Sequence, residues 1–329
     1  MLAPTDIKEG GVSNESHQSA HLSTQDNKII NSQTGQPIIL KGIVTEYFRY
    51  RMNYGYPALY GGLEAEIEKI ERLKRAGANI NVIGLYLARL HEIKSNIDEM
   101  DEYINYARKN SIYIFLAPTG NAFIETVDIK SLRGNSEKFF KDLGSNDLAQ
   151  LTELLAQRYG NYYNVIFQLT AEPNIPYAKW EVKQKELAAI VRKYTNNLIM
   201  VSTPYYTPYS YSSSWPVLPY DNIIYSTGGY ISKNDHSFVE RQLKQILGEE
   251  NLIKNFPVMV AEFGGNYNSD FSSDRDLALF KNILTEINQA NLSYAVFRLS
   301  SAFQSDGLAI FDTKGELTKK GEIFVNSFR

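Results

Sequence analysis

Two glutamates ninety positions apart each close a short strand-like run. Glu172 lies in Asn164-Val-Ile-Phe-Gln-Leu-Thr-Ala-Glu172-Pro-Asn174, and Glu262 in Pro257-Val-Met-Val-Ala-Glu262-Phe-Gly-Gly265. A carboxylate placed where an apolar strand meets a Pro- or Gly-rich loop is expensive, because an unpaired buried charge costs several kcal/mol or is forced to shift its pKa. A single such group is often a structural ion-pair partner. A pair on two different strands can divide acid/base and nucleophilic work, as cleavage of a glycosidic bond requires.

The elements that would carry these carboxylates alternate along the chain. Pro37–Ile43 reads as a first buried strand, and Leu63, Ile67, Ile70 and Leu73 then repeat at helical spacing up to Gly77. The next apolar run is Asn79–Leu87, followed by a helix through Ile97, Met100, Ile104 and Ala107 and the strand Ile112–Ala117. Leu148, Leu151, Leu154 and Leu155 precede the strand that ends at Glu172, and a helix around Leu187, Ile190 and Val191 leads into Leu198–Val201. Asn222–Tyr225 is a sixth strand, and a helix around Phe238, Leu243 and Ile246 enters the strand ending at Glu262. Leu277, Phe280, Ile283, Leu284 and Ile287 form another helix before the last strand, Tyr294–Phe297. Eight strands with intervening helices predict a parallel sheet closed into an α/β (β/α)8 TIM barrel. The competing architecture is an open doubly wound sheet, but no Gly-rich phosphate fingerprint opens any helix.

Composition bounds the rest. A chain of 329 residues with 43% hydrophobic and 22% charged residues fits one large domain, with a polar tail or leader at residues 1–28 and a catalytic barrel at 29–329. A net charge of −3 supplies no basic face for nucleic acid, and no apolar run approaches membrane-spanning length. The absence of cysteine removes thiolate nucleophiles and thiolate metal sites. Two of the four histidines, His17 and His21, fall in the polar tail, so a histidine-built metal site is not expected and no cofactor is implied. No basic segment followed by an apolar stretch is present at the start, hence no signal peptide in this chain. A mature secreted form would look the same; secretion is the expectation and a cytoplasmic location stays open.

One connection has no helical period. Thr203–Asp221 carries Tyr205, Tyr206, Tyr209, Tyr211, Trp215 and Tyr220 among Ser and Pro. Such a long aromatic loop either stacks its rings on sugar faces, Trp215 foremost, or packs them against the barrel.

The ordered set of segments resembles glycoside hydrolase family 5, the cellulase-like family, from about Ile29 to the C-terminus. The resemblance runs through Gly35-Gln-Pro-Ile-Ile-Leu-Lys-Gly42, Ala76-Gly-Ala-Asn79, Tyr163-Asn-Val-Ile-Phe-Gln-Leu169, Asn222-Ile-Ile-Tyr-Ser226, Val260-Ala-Glu-Phe-Gly264 and Gly315-Glu-Leu-Thr-Lys-Lys-Gly321. It implies catalytic glutamates on strands four and seven, with Glu172 as acid/base, Glu262 as nucleophile and Tyr230 bonding the nucleophile. It also implies a retaining mechanism on a β-linked oligo- or polysaccharide.

The departures from the family pattern are specific. Ala171 stands where the family places the asparagine that bonds the sugar 2-OH, and Val82 where it places an arginine. Gly228 replaces a histidine, and Phe297 stands at the strand-eight tryptophan. Arg298, next to that platform, could replace the missing cation near Glu262 or serve as a barrel-rim ion pair. Asn174, Asn121 and Glu46 are candidate sugar-binding groups at other strand ends. Two readings follow: an active glycosidase with a rebuilt shell, or a barrel that binds glycan without cutting it. A weaker third is an interaction protein using the Tyr-rich loop. Which sugar and linkage, endo or exo action, and oligomeric state are not legible in the sequence.

Overall fold

The computed structural model describes residues 21–48, 61–87, 90–118, 145–171, 177–202, 218–231, 252–266, 274–301 and 307–329. It opens with an antiparallel hairpin, β1 (Leu22–Gln25) and β2 (Lys28–Asn31), turned at Asp26-Asn27 with Asp26 at φ 52°. Aspartate is among the few non-glycine residues that take that conformation readily. Eight parallel strands follow: β3 (Lys41–Thr45), β4 (Val82–Leu87), β5 (Tyr113–Pro118), β6 (Val165–Gln168), β7 (Ile199–Ser202), β8 (Ile223–Ile231), β9 (Val258–Asn266) and β10 (Ser293–Phe297). Each pairs with the next in sequence, and β10 pairs with β3 to close the barrel. The fold is a (β/α)8 barrel, as the alternation of strand and helix signals predicts.

Two clusters divide the core. The outer one lies between sheet and helices, where α1 (Gly62–Arg75) buries Leu63, Ile70 and Leu73 and α3 (Ile97–Lys109) buries Met100, Tyr103, Ile104 and Ala107. The helix α7 (Asp274–Gln289) buries Leu277, Phe280, Ile283, Leu284 and Ile287, the five positions at helical spacing in the sequence. The other described helices are α2 (Leu90–Ser95), α4 (Ser145–Tyr159), α5 (Tyr177–Arg192), α6 (Leu252–Asn255) and α8 (Lys319–Asn326). The helix expected around Phe238–Ile246 and the aromatic loop at 203–217 lie outside the described residues. No helix among the described residues is long and apolar enough to cross a membrane.

The second cluster fills the lumen. Val44, Val82, Phe115, Ile166, Met200, Ile224, Met259 and Ala295 are buried there, one from each strand. Such a barrel interior is a packed core rather than a pore. Gly84 makes room for it: a Cβ there would stand 2.1 Å from the Phe115 ring. Gly42 is tighter still, because its Cβ would lie 1.7 Å from the Val82 carbonyl oxygen.

Several boundaries differ from the sequence expectation: β9 runs past Glu262 to Asn266, β8 past Tyr225 to Ile231, and β6 stops at Gln168. The first barrel strand starts at Lys41 rather than Pro37, because Pro37 bridges to Ile30 and the Ile38 N–H bonds the Ile29 carbonyl at 2.9 Å. The front of that apolar run therefore serves the hairpin. Residues 22–28, grouped by composition with the polar tail, form the hairpin's first strand, its turn and the start of its second strand. Leu22 and Ile29 join Leu40 in the lumen cluster, so the hairpin plugs the N-terminal end of the barrel. Asn222 pins it, accepting from Ser23 Oγ at 2.7 Å and from the Thr24 N–H at 3.1 Å.

Gly42→Ala drives a methyl into backbone that has no rotamer to give. The variant is expected to lose at least about 3 kcal/mol of stability in urea unfolding, the upper part of the overpacking range. A loss below about 1 kcal/mol would show that β3 and β4 can separate at that point.

Candidate active site

All eight barrel strands run the same way, so the residues at their C-terminal ends share one face. On the seventh barrel strand, β9, an extra residue decides which way the glutamate points. Tyr294 pairs with Val260 and Val296 with Phe263, while on the other side Thr227 pairs with Val260 and Gly228 with Glu262. The strand therefore carries a β-bulge at Ala261–Glu262 against both neighbours. Strict alternation would send Glu262 outward with Val260. Instead Val260 and Phe263 both pack in the outer cluster, and Ala261 packs in the lumen. A bulge between two outward residues directs the pair it contains toward the lumen, and Glu262 is buried, with 8% exposure.

Its neighbours on the adjacent strands are small. Gly228 is its partner on β8, and Ala295 lies opposite the bulge on β10. The residues that follow anchor the strand. Phe263 meets Phe280 of α7 at 6.0 Å between ring centroids and Tyr294 at 5.9 Å. Gly264 passes so close to β10 that a Cβ would stand 2.7 Å from the Phe297 oxygen and 3.2 Å from Lys320 Nζ. The motif Val260-Ala-Glu-Phe-Gly264 thus has a physical reason at each position: outward, bulge, lumen, outward, close approach.

The neighbouring strands bring two more charges to this face. Glu46 follows β3 and Arg298 follows β10, 252 residues apart in the chain and joined by a buried Arg298 Nη1 to Glu46 Oε2 ion pair. Both side chains are nearly inaccessible, at 4% and 1% exposure. Of the two roles open to Arg298, the structure displays the barrel-rim ion pair. Its guanidinium also lies 5.5 Å from the Phe297 ring centroid. Phe297 itself is fully buried against Tyr86, with ring centroids 5.9 Å apart, so it packs the lumen instead of offering an open platform. The Phe297–Arg298 peptide is cis.

Lys320, from α8, is buried beneath this corner and donates to the Phe297 oxygen at 2.6 Å and to the Leu308 oxygen. On the far side of the lumen Gln168 Nε2 donates to Ser202 Oγ at 2.6 Å, and Ser226 Oγ to Ser202 Oγ at 3.0 Å. These three residues make a polar belt across β6, β7 and β8 above the apolar layer. Sequence reasoning missed the belt and Lys320, since isolated Ser, Gln and Lys carry no pattern of their own.

Of the residues singled out in the sequence, the structure gathers Glu46, Phe297 and Arg298 at the C-terminal ends of β3 and β10, and places Glu262 within the adjacent β9, which runs on to Asn266. The Tyr230 backbone continues β8 two residues beyond Gly228. Glu172, Asn174, Asn121 and Trp215 lie outside the described residues. Ala171, which precedes Glu172, is buried in the lumen cluster, and its N–H bonds the Pro118 carbonyl at 2.8 Å. Val82 is fully buried in the apolar layer, with no cation in its place.

A cavity of about 620 Å³ opens at the opposite, N-terminal end, lined by His21, Asn161, Arg192, Tyr194, Asn196 and Asn222 among others. Its polar groups are largely spent on the framework. Arg192 donates to the carbonyls of Thr195, Asn197, Asp221 and Asn222, and burial pulls its pKa down to about 10. Asn222 Nδ2 bonds the Asn196 carbonyl at 2.9 Å. This cavity holds loops in place and is remote from Glu262.

Closed barrel, inward Glu262 and strand order meet one sequence family. The cellulase family model, glycosyl hydrolase family 5, matches residues 31–303. The chain belongs to that family. Among solved structures, a β-glucanase from Saccharophagus degradans superposes with a TM-score of 0.71 at 14% identity, over 94% of this chain and 93% of that one. A hyperthermophilic endocellulase from the archaeon Pyrococcus horikoshii gives 0.68 at 16%, over 94% and 99%. The catalytic domain of the major endoglucanase from Xanthomonas campestris pv. campestris gives 0.68 at 12%, over 94% and 99%. At such identities these likenesses speak for the fold. No curated protein sequence matches the chain.

Removing one partner of the Glu46–Arg298 pair leaves the other charge buried, at a cost of about 3–5 kcal/mol. Arg298→Met and Glu46→Leu are each expected to fall in that range in urea unfolding. The double substitution should recover much of the loss, and additive losses would refute the pairing.

Proposed function

We propose that this family 5 barrel hydrolyses β-glycosidic bonds in a β-linked oligo- or polysaccharide with net retention, using Glu262 as nucleophile and Glu172 as acid/base. One observation carries the reading: the bulge in the seventh barrel strand whose register directs Glu262 inward, between two residues without bulky side chains. A carboxylate facing a packed apolar lumen, with glycine and alanine as its strand neighbours, can approach a sugar ring seated on that face.

In the first step Glu262 attacks the anomeric carbon while Glu172 gives its proton to the departing glycosidic oxygen. Water, deprotonated by Glu172, then displaces Glu262 from the same face. The roles require one carboxyl protonated and one ionised at the same pH, so the two environments must differ. Glu262 stands on a strand fixed by Phe263 and Gly264. The Arg298 guanidinium is partnered by Glu46 across the β10–β3 seam, so the pair brings no net charge to the mouth and acts by holding the strand ends. β-Glucan is the first polymer to test, since the structural neighbours include a β-glucanase and an endocellulase.

A second reading, glycan capture without cleavage, draws on Ala171 and Val82. Alanine cannot make the 2-OH hydrogen bond, which together with substrate distortion is worth several kcal/mol in the transition state. An apolar Val82 brings no cation to the lumen floor.

Glu262→Gln and Glu172→Gln are each expected to abolish reducing-end release from β-glucan, by at least about 10²–10⁴-fold. The first anomer formed by the unaltered protein, followed by proton NMR, should retain the substrate's configuration. Inverted product, or undiminished activity in either variant, would sink the mechanism. Glycan binding with no reducing ends from any bound ligand would establish the second reading.

A further inference from the structure

A second buried charged group sits on the outer side of the same wall. Glu66 of α1 is completely buried and Lys69 nearly so, on the face of the helix that otherwise carries Leu63, Ile70 and Leu73. The Glu66 carboxylate accepts from Thr45 Oγ1 on one oxygen. Its other oxygen accepts from Ser300 Oγ at 3.0 Å and Lys69 Nζ at 3.3 Å, and Lys69 also donates to Ser300 Oγ at 2.9 Å. Thr45 immediately precedes Glu46, and Ser300 stands two residues after Arg298. The carboxylate therefore grips, from behind, the two segments whose next inward side chains form the Glu46–Arg298 pair. Backbone pairing supports the same junction, with the Leu299 N–H on the Val44 carbonyl at 2.8 Å.

A leucine or isoleucine at position 66 would continue the apolar face of α1 without desolvating a charge, and a buried ion pair rarely improves on well-packed apolar side chains for stability. What a carboxylate adds is direction, because it ties two particular hydroxyls, one from each side of the barrel seam. We infer that Glu66 is a positioning residue: it sets β3 against β10 so that Glu46 and Arg298 meet at the barrel mouth, and it serves glycoside cleavage through them. The catalytic part of this inference rests on the function proposed above; the coupling of Glu66 to the inner pair does not.

The test places E66Q, and the milder S300A, in two backgrounds. One is the unaltered chain. The other has the inner pair replaced as a unit by Glu46→Leu with Arg298→Met, a swap that buried pairs tolerate. With β-glucan as substrate, well below the melting temperature, E66Q in the unaltered chain should lower kcat by about 10- to 100-fold, the effect of small misplacements at a site. KM should stay within about twofold, as for an interaction that matters in the transition state. In the background without the inner pair, E66Q should have little further effect on kcat. A helix–sheet contact of purely structural use would lower the melting temperature and leave kcat unchanged, or act equally in both backgrounds; either result overturns the inference. If the unaltered chain cleaves no glycan, the proposed function fails, and the same four-corner comparison on urea midpoints decides the coupling. Non-additive midpoints support it, and additive ones refute it.

Discussion

The barrel depends on one seam. Closing it pairs β10 with β3, and the buried contact across that junction joins residues 252 positions apart. Contacts so distant in sequence return nothing until the intervening strands are ordered, so the seam must be strong once it forms. It is held at three depths. Backbone bonds run along it, the Glu46–Arg298 pair spans it inside, and Glu66 with Thr45 and Ser300 spans it outside. Lys320 adds a fourth hold from below by occupying the Phe297 carbonyl. Charged groups concentrate where apolar packing cannot specify which residue meets which. A leucine can slide past its neighbour, whereas a carboxylate between two hydroxyls cannot.

Against that fixed seam, the extra residue in β9 has a defined effect. A bulge bends its strand and re-aims the side chains after it. Here the bend is confined between Val260 and Phe263, both locked outward, so the displaced residues have the lumen as their outlet. Stacking of Phe263 on Phe280 and the close passage of Gly264 beneath Phe297 keep the bulge from slipping to another position. The orientation of one glutamate is thus paid for by aromatic packing on the opposite side of the sheet.

Much of this was legible in the sequence, and the reason is periodicity. Each helix buries a stripe at 3.6-residue spacing and each strand a short apolar block, so the alternation of Leu63–Leu73 or Leu277–Ile287 with Asn79–Leu87 or Tyr294–Phe297 announces a barrel. The hairpin was hidden because Leu22 and Ile29 are diluted among polar residues and reach their partners only at the barrel's far end. Glu66 and Lys69 left a faint trace. They fall in phase with the buried stripe of α1, where charge is out of place, but the pattern cannot say what meets them. The bulge leaves a comparable mark, since outward Val260 and Phe263 are three residues apart where alternation demands two. Glu46 and Arg298 were visible as strand-end charges, yet their pairing is a property of closure and not of either segment.

The altered lumen follows from where charge can be afforded. An arginine at position 82 would have to cross the apolar layer that Val82 now completes with Val44, Phe115 and Ala295. Its desolvation would need a nearby carboxylate, and Gly228 on β8 supplies no side chain to help. In this chain the cation stands instead at the mouth end of β10, where Glu46 arrives from the adjacent strand to neutralise it. Moving the charge upward lets the layer beneath stay dry, and a dry floor strengthens every electrostatic interaction above it. It also removes the fixed positive field that an unpaired arginine would direct at Glu262. Ala171, across the lumen beyond β6, follows the same rule: it is buried with the apolar layer, and the polar groups of that side, Gln168, Ser202 and Ser226, satisfy one another instead of meeting a charge.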